Sequence, residues 1–319
     1  NPLVASSSPL NLDVGNICRL EEAGAAAVVL PSIFQEQIEF EAAETERLTS
    51  AGSESYAEAA SYFPSAASYR AGPDAYLEII RRARQAAGIP VIASLNGITR
   101  SGWIDYAKKM EQAGASAIEL NVYYIPSDPA LPGAEVEQRY VDVLRAVKAA
   151  VSVPVAMKLS PFFSSLGHQV RQLEAAGADG FVLFNRFYQP DIDLVGMRLL
   201  RDLELSQPAE VRLPLLWIGT LRSQVKASLA ASSGVDSSDD VVKYLLAGAD
   251  VVMTTSALLR HGVAHMRSLL SGLIGWLEAR DVGSVAEIRG KLSQDRVRDR
   301  TAYQRANYIN ILQGWQQPR

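Results

Sequence analysis

The stretch AGAAAVVL at residues 23–30 reads as the end of a helix running straight into a strand. Glycine closes a helix in the left-handed conformation without a Cβ clash, and a near-continuous apolar run suits a strand covered on both faces. The same unit recurs as AGASAIEL at 113–120, AGADGFVL at 176–183 and AGADVVMT at 247–254. Working outward, two segments replace the glycine stop with proline: Gly88-Ile89-Pro90 leads into VIASL, and Val153-Pro154 leads into VAMKL. Proline before a strand's first residues is tolerated there because a missing N–H is. Adding Leu3 to Ser6 and Ala227 to Ser232 gives eight candidate parallel strands, mostly separated by helical patterns.

Eight such units predict an α/β fold, a (β/α)8 TIM barrel, over residues 1–280. A helical extension rich in Arg and Gln, residues 281–319, is expected to pack on the barrel or in an oligomer contact. A doubly wound sheet is the competing architecture, but no G-x-G-x-x-G turn follows an early strand. Three long loops are expected at the C-terminal face, where barrel chemistry sits: Ser32 to Pro73, Tyr123 to Pro132 and Asn185 to Asp193.

Composition narrows the function classes. The 319 residues are 48% hydrophobic and carry 31 Lys+Arg against 35 Asp+Glu, a net charge of -4 with no long single-sign block. Nucleic acid and anionic membranes are therefore not expected as partners, and no run reaches the roughly 20 apolar residues of a membrane span. Cys18 is the single cysteine, which rules out an internal disulfide and an iron–sulfur cluster ligated by this chain alone, and suggests a reducing, cytoplasmic setting. In its helical stretch a buried inert thiol is the default.

Polar residues at strand ends converge on one mouth: Ser6, Ser7, Ser32, Asn96, Asn121, Lys158, Asn185, Ser233, Gly234, Thr255 and Ser256. A buried lysine is costly without a partner or ligand, so Lys158 is a functional candidate, the alternative being a snorkelling or ion-paired rim lysine. Ser232-Ser233-Gly234 and Thr254-Thr255-Ser256 precede helical patterns after neighbouring late strands, which suits a phosphate; ordinary helix caps explain them singly. His261 and His265 have ligand spacing but no accompanying carboxylate motif, so no metal is expected, and His168 reads as a surface residue.

NPLVASSSP at the start, IELN at 118–121, PVAMKLSP at 154–161, GADGFVLFN at 177–185 and LLAGADVVMTTSALLRHG at 245–262 together resemble the dihydroorotate dehydrogenase family of FMN barrels, which includes the flavin domain of dihydropyrimidine dehydrogenase. The resemblance runs from residue 1 to about residue 275. It implies an FMN-dependent oxidoreductase acting on a CH–CH or C=C bond of a small molecule, with a link to pyrimidine metabolism. It places Ser6, Ser7 and Ser32 against the flavin, Asn96, Asn121 and Lys158 near its ring system and ribityl chain, Gly219 near the cofactor, and Ser233, Gly234, Thr255 and Ser256 on its phosphate. Lys158 would neutralise charge at the flavin N1/O2 edge.

The substrate half departs from the family pattern. The second strand has Pro31-Ser32 where the family has Lys-Ser. Asn121 and Asn185 match two of four substrate-holding asparagines, whereas the other two positions carry Pro64 and Pro126. Tyr124 stands where the family has a catalytic Cys or Ser. With an ordinary pKa of about 10, a tyrosine suits a general acid better than a base; packing over the site is the equal alternative. These departures predict a substrate other than dihydroorotate. Arg186, and more weakly Arg70, could anchor a substrate carboxylate or phosphate, or could form structural ion pairs. Two other readings remain: a Schiff-base aldolase or lyase on a sugar phosphate using Lys158, and a non-catalytic flavin subunit passing electrons to a redox partner protein. Related barrels often form homodimers, so a homodimer is expected.

Overall fold

A computed structural model describes residues 1–34, 72–96, 100–200 and 203–314 of the chain. Eight parallel strands close into a barrel: β1 (Leu3–Ala5), β2 (Ala27–Phe34), β3 (Val91–Asn96), β4 (Ala117–Asn121), β5 (Val155–Leu159), β6 (Gly180–Leu183), then β9 (Ser228–Ala231) and β10 (Val251–Thr254), which pairs back onto β1. The intervening strands β7 (Asp191–Asp193) and β8 (Arg198–Leu200) form a separate antiparallel hairpin in the loop after β6. The eight-stranded barrel read from the sequence is therefore the observed one, and the hairpin is an addition the loop composition did not signal.

Helices alternate with the strands: α1 (Val14–Glu22), α2 (Pro73–Ala86), α3 (Arg100–Gln112), α4 (Gly133–Lys148), α5 (Leu166–Ala175), α6 (Arg212–Leu221), α7 (Ser238–Ala247), α8 (Ser256–His261) and α9 (His265–Glu278). The glycines of the four Ala-Gly-Ala units, Gly24, Gly114, Gly177 and Gly248, all have positive φ, between 99° and 129°. Each therefore ends its helix by the backbone route that favours glycine.

Strand side chains alternate in and out, so the barrel interior is built in layers. Val4, Ala27, Val29, Val182, Ala230 and Met253 pack together as an apolar lumen. The larger cluster between the strands and the helical ring includes Leu30, Leu95, Leu120, Met157, Leu159 and Phe181. Two residues further along several strands the inward positions turn polar, and that change positions the site.

The β2–β3 ladder shifts register between Val29 and Ser32, around Pro31, which has no N–H to donate. At this break the Tyr76 hydroxyl, from α2, accepts a bond from the Ser94 N–H (3.0 Å) and donates to the Ser94 carbonyl (3.2 Å).

After α9 the described residues form short helices, α10 (Val285–Ile288) and α11 (Ala306–Gly314), with a 3-10 turn at Arg300–Tyr303. Its backbone docks on α6 and α7: Gly290 N–H donates to Leu245 O (2.9 Å), Leu292 N–H to Leu246 O (2.8 Å) and Gln294 N–H to Gly219 O (2.9 Å). Arg289 and Arg222 both reach Asp250, at 2.9 and 3.0 Å.

Candidate active site

A cavity of ≈ 260 Å³ lies at the C-terminal mouth of the barrel. Its lining includes Ser6, Ser7, Ser32, Asn121, Lys158, Asn185, Arg186, Ser233, Gly234, Thr255 and Ser256, so the structure brings together eleven residues singled out from the sequence. Asn96 is buried at the end of β3, opposite Asn121 in the ladder, but is not in the cavity wall.

At the floor, Lys158 Nζ lies 3.5 Å from Glu119 Oε1, and both side chains are almost fully buried. Glu119 also accepts from Ser94 Oγ (3.2 Å), which shares a 2.7 Å bond with Ser32 Oγ in the cavity wall. A polar chain thus crosses β5, β4, β3 and β2. Beside it, Asn185 Nδ2 donates to Asn121 Oδ1 at 2.7 Å. The remaining polar capacity of that pair is the Asn121 amide NH2 and the Asn185 amide carbonyl, a donor and an acceptor suited to a small polar molecule.

Aromatic rings join the loops above these asparagines. Tyr123 stacks on Phe187 with centroids 4.6 Å apart, Phe162 meets Phe187 edge-on at 5.2 Å, and the Tyr123 hydroxyl accepts from the Tyr188 N–H at 3.2 Å. The loops after β4, β5 and β6 are thereby tied together.

After β9, the neighbour of β6, Ser233 holds φ 83° next to Gly234 at 71°. A non-glycine residue in the left-handed region is strained and persists where its surroundings fix it; here the buried Tyr244 hydroxyl donates to Ser233 O at 2.8 Å. Burial, with Asp240 and Glu210 adding repulsion, holds the Tyr244 phenol far above the ordinary tyrosine range. Thr255 Oγ1 donates to Ser7 O (3.2 Å), which links the loops after β10 and β1. Ser206, not anticipated from the sequence, stands among the phosphate candidates: Gly234 N–H donates to its hydroxyl (3.3 Å), its own N–H donates to Ser256 Oγ (3.0 Å), and Arg260 donates to its carbonyl (2.6 Å).

Three expectations need correction. Gly219 is not at the cavity: it lies in α6, its carbonyl bound by Gln294, and a Cβ there would run into the Tyr303 ring. The apolar run RLPLLWIGTL around it forms a helix that buries one face, Pro214, Ile218, Gly219 and Leu221, and a short apolar run of this kind is one that periodicity separates poorly from a strand. Arg186 lines the cavity, yet its guanidinium is bound to the Glu204 carbonyl and lies 3.4 Å from Glu210, so the structural ion pair is the arrangement seen. Cys18 is half-buried rather than buried, its Sγ 3.7 Å from Ala86 O.

Tyr124 is half-buried outside the cavity lining, with the Arg139 guanidinium 4.5 Å over its ring. His261 approaches Asp236 (3.7 Å), His265 bonds the Asp236 carbonyl (2.8 Å), and His168 is exposed. Among the described residues no group of three His, Cys, Asp or Glu could hold a metal ion, and no helix is long and apolar enough to cross a membrane. Arg70, Pro64 and most of the Ser32 to Pro73 loop lie outside the described residues.

The cavity's companions among known proteins decide its class. The family model described as dihydroorotate dehydrogenase matches residues 69–277, most of the chain. The chain belongs to the dihydroorotate dehydrogenase family. As a member it is an oxidoreductase. It is similar to the dihydroorotate dehydrogenase B (NAD(+)) catalytic subunit of Thermoplasma acidophilum, 27% identical over 69% of this chain and 73% of that one. It also resembles a putative dihydroorotate dehydrogenase A (fumarate) of Aeropyrum pernix, 29% identical over 65% and 68% of the two chains. A dihydroorotate dehydrogenase A (fumarate) of Lacticaseibacillus paracasei is 31% identical over 55% of this chain and 62% of that one.

The residues present fit the flavin mononucleotide that this family implies. Ser8 Oγ, in the cavity wall, is buried with no hydrogen-bond partner, an arrangement that costs about 1–3 kcal/mol unless a ligand or water meets it. Glu119, Ser94, Ser8 and Ser206 are among the site residues that sequence reasoning missed. Glu119 carried a signal: it lies two residues before Asn121 on the same strand, so if Asn121 faces inward, Glu119 does too.

Proposed function

We propose that this chain is an FMN-dependent oxidoreductase acting on the CH–CH or C=C bond of a small substrate other than dihydroorotate. The observation that carries it is the barrel-mouth cavity of the family-matched fold, whose wall combines the buried Lys158, the Asn121–Asn185 pair and the strained Ser233-Gly234 turn. Bound FMN would supply the hydride chemistry. Ser233, Gly234, Thr255 and Ser256 would hold its phosphate, Ser6, Ser7 and Ser32 its ring, and Lys158 its pyrimidine edge, while Asn121 and Asn185 orient the substrate.

The substrate reading rests on Pro31 and Pro126 in place of the family's polar residues and on Tyr124 standing outside the cavity wall. The relatives' names point the other way, so dihydroorotate is the first compound to assay. The Schiff-base reading is disfavoured by the salt bridge on Lys158, since that chemistry needs an uncharged amine.

The test is the visible spectrum of the purified protein with mass identification of released cofactor, followed by turnover of dihydroorotate against other dihydro and unsaturated acids and amides. One FMN per chain and turnover of another compound are expected. No flavin after incubation with FMN would overturn the cofactor assignment, and efficient dihydroorotate oxidation would overturn the substrate assignment.

A further inference from the structure

Glu119 is 1% exposed, on the inner face of β4, one layer beneath the polar residues of the cavity. An ionised carboxylate in such a place is costly unless it is paired and hydrogen-bonded, and here it has both partners: Lys158 Nζ at 3.5 Å and Ser94 Oγ at 3.2 Å. Ser94 is in turn fixed by the Tyr76 hydroxyl on its backbone and by Ser32 on its side chain. The carboxylate is thus anchored from one side, and the lysine, on a longer and more flexible stem, reaches from it up to the cavity wall.

We propose that Glu119 is a positioning residue: from below the cavity it fixes where Lys158 Nζ sits and offsets part of its charge, so that it sets how strongly the cavity floor favours negative charge on the bound cofactor. The proposal rests on the FMN reading. Fields inside a low-dielectric barrel are weakly screened, so a full charge next to Lys158 acts on the cavity as surely as Lys158 itself. Neutralising Glu119 leaves the ammonium uncompensated and favours the reduced, more negative flavin; removing Lys158 does the reverse.

The test is the flavin midpoint potential of the FMN-loaded protein, measured by dye-coupled reductive titration at pH 7 for wild type, Glu119→Gln, Glu119→Asp and Lys158→Met. Glu119→Gln is expected to displace the oxidised–reduced equilibrium toward the reduced form at least tenfold, about 30 mV for a two-electron couple. Glu119→Asp, which withdraws the carboxylate without removing its charge, shifts it the same way by at least twofold and keeps the proposal testable should the glutamine variant not fold. Lys158→Met shifts it the opposite way. A residue that merely held the barrel together would lower thermal stability and leave the potential of the folded variants unchanged, and that result overturns the proposal while leaving the FMN reading intact. Failure of the wild-type protein to bind FMN overturns both.

Discussion

Tyr76→Phe isolates the break in the barrel wall that supports the site. The tyrosine is buried at 3% exposure, and its hydroxyl is bonded to both the N–H and the C=O of Ser94 where the β2–β3 ladder shifts register. Phenylalanine keeps the ring packing and deletes one oxygen, which leaves a buried N–H without its partner and removes one bond from a carbonyl with two lone pairs. An orphaned buried donor costs about 1–3 kcal/mol, and the carbonyl loses less, so a total near 2 kcal/mol is expected. In a chain this size each kcal/mol moves the unfolding midpoint by roughly 2 °C, for a fall of about 4 °C. Differential scanning calorimetry at a fixed scan rate reads it, with Tyr308→Phe, on the exposed face of α11, as the control. Ser94 also carries Ser32 and Glu119, so FMN affinity should weaken together with stability. A midpoint within 1 °C of wild type, with flavin affinity unchanged, would refute the argument that Tyr76 completes the interrupted ladder.

Burial pushes the Tyr140 phenol up to about 12 and holds Tyr76 and Tyr244 higher still. A folded pKa raised above the unfolded value of about 10 means the native state keeps protons the unfolded chain has lost, so this stability is complete below pH 10 and lost above it; urea midpoints should be flat from pH 8 to 9.5 and fall beyond, less steeply in Tyr76→Phe measured from its own baseline. Tyr124→Phe should keep kcat/KM within about threefold of wild type, because general acid catalysis is worth roughly a hundredfold or more and Tyr124 lies outside the cavity wall; a hundredfold loss in steady-state assays would return it to the catalytic list. The homodimer expected from the sequence would be the natural cover for Leu194, Val195 and Met197 at the tip of the β7–β8 hairpin, each at least 85% exposed. Light scattering should give a dimer mass that Val195→Asp lowers to that of a monomer; a monomeric wild type would reject the homodimer.

The barrel was legible because its units carry several independent cues for one structure: a helical pattern, an apolar run of strand length and, in four of them, a glycine whose φ the structure finds positive. The mouth was legible for the same reason, since a position at a strand's C-terminal end determines where a side chain points. Legibility failed where position depends on contacts distant in sequence. Ser206 reaches the cavity wall through bonds to Gly234 and Ser256, 28 and 50 residues away, and nothing local to DLELSQP announces them. Gly219 sits in an apolar segment whose length and composition fit a buried helix or a strand equally, so its placement near the cofactor had only family register behind it. Arg186 shows the limit of reading charge from sequence: an arginine one residue beyond a substrate-side asparagine looks available, but a glutamate 24 residues later and a nearby carbonyl already occupy its guanidinium.

Glu119 is the instructive case, because its signal was present and unused. Once Asn121 and Lys158 are placed on inward positions of adjacent strands, the two-residue period puts Glu119 inside the barrel, where a lone carboxylate is untenable and the buried lysine next door is the partner it requires. Two residues that each look anomalous alone, a lysine and a glutamate in an apolar barrel, explain one another as a pair. What the pair leaves unexplained is why the barrel retains it, since a well-packed apolar pair of similar volume is often as stable or more so. A cavity that must stabilise negative charge arriving at one edge supplies the reason, and it makes the double replacement Glu119→Leu with Lys158→Met informative: stability close to that of wild type together with impaired flavin reduction would separate what the fold needs at this layer from what the chemistry needs.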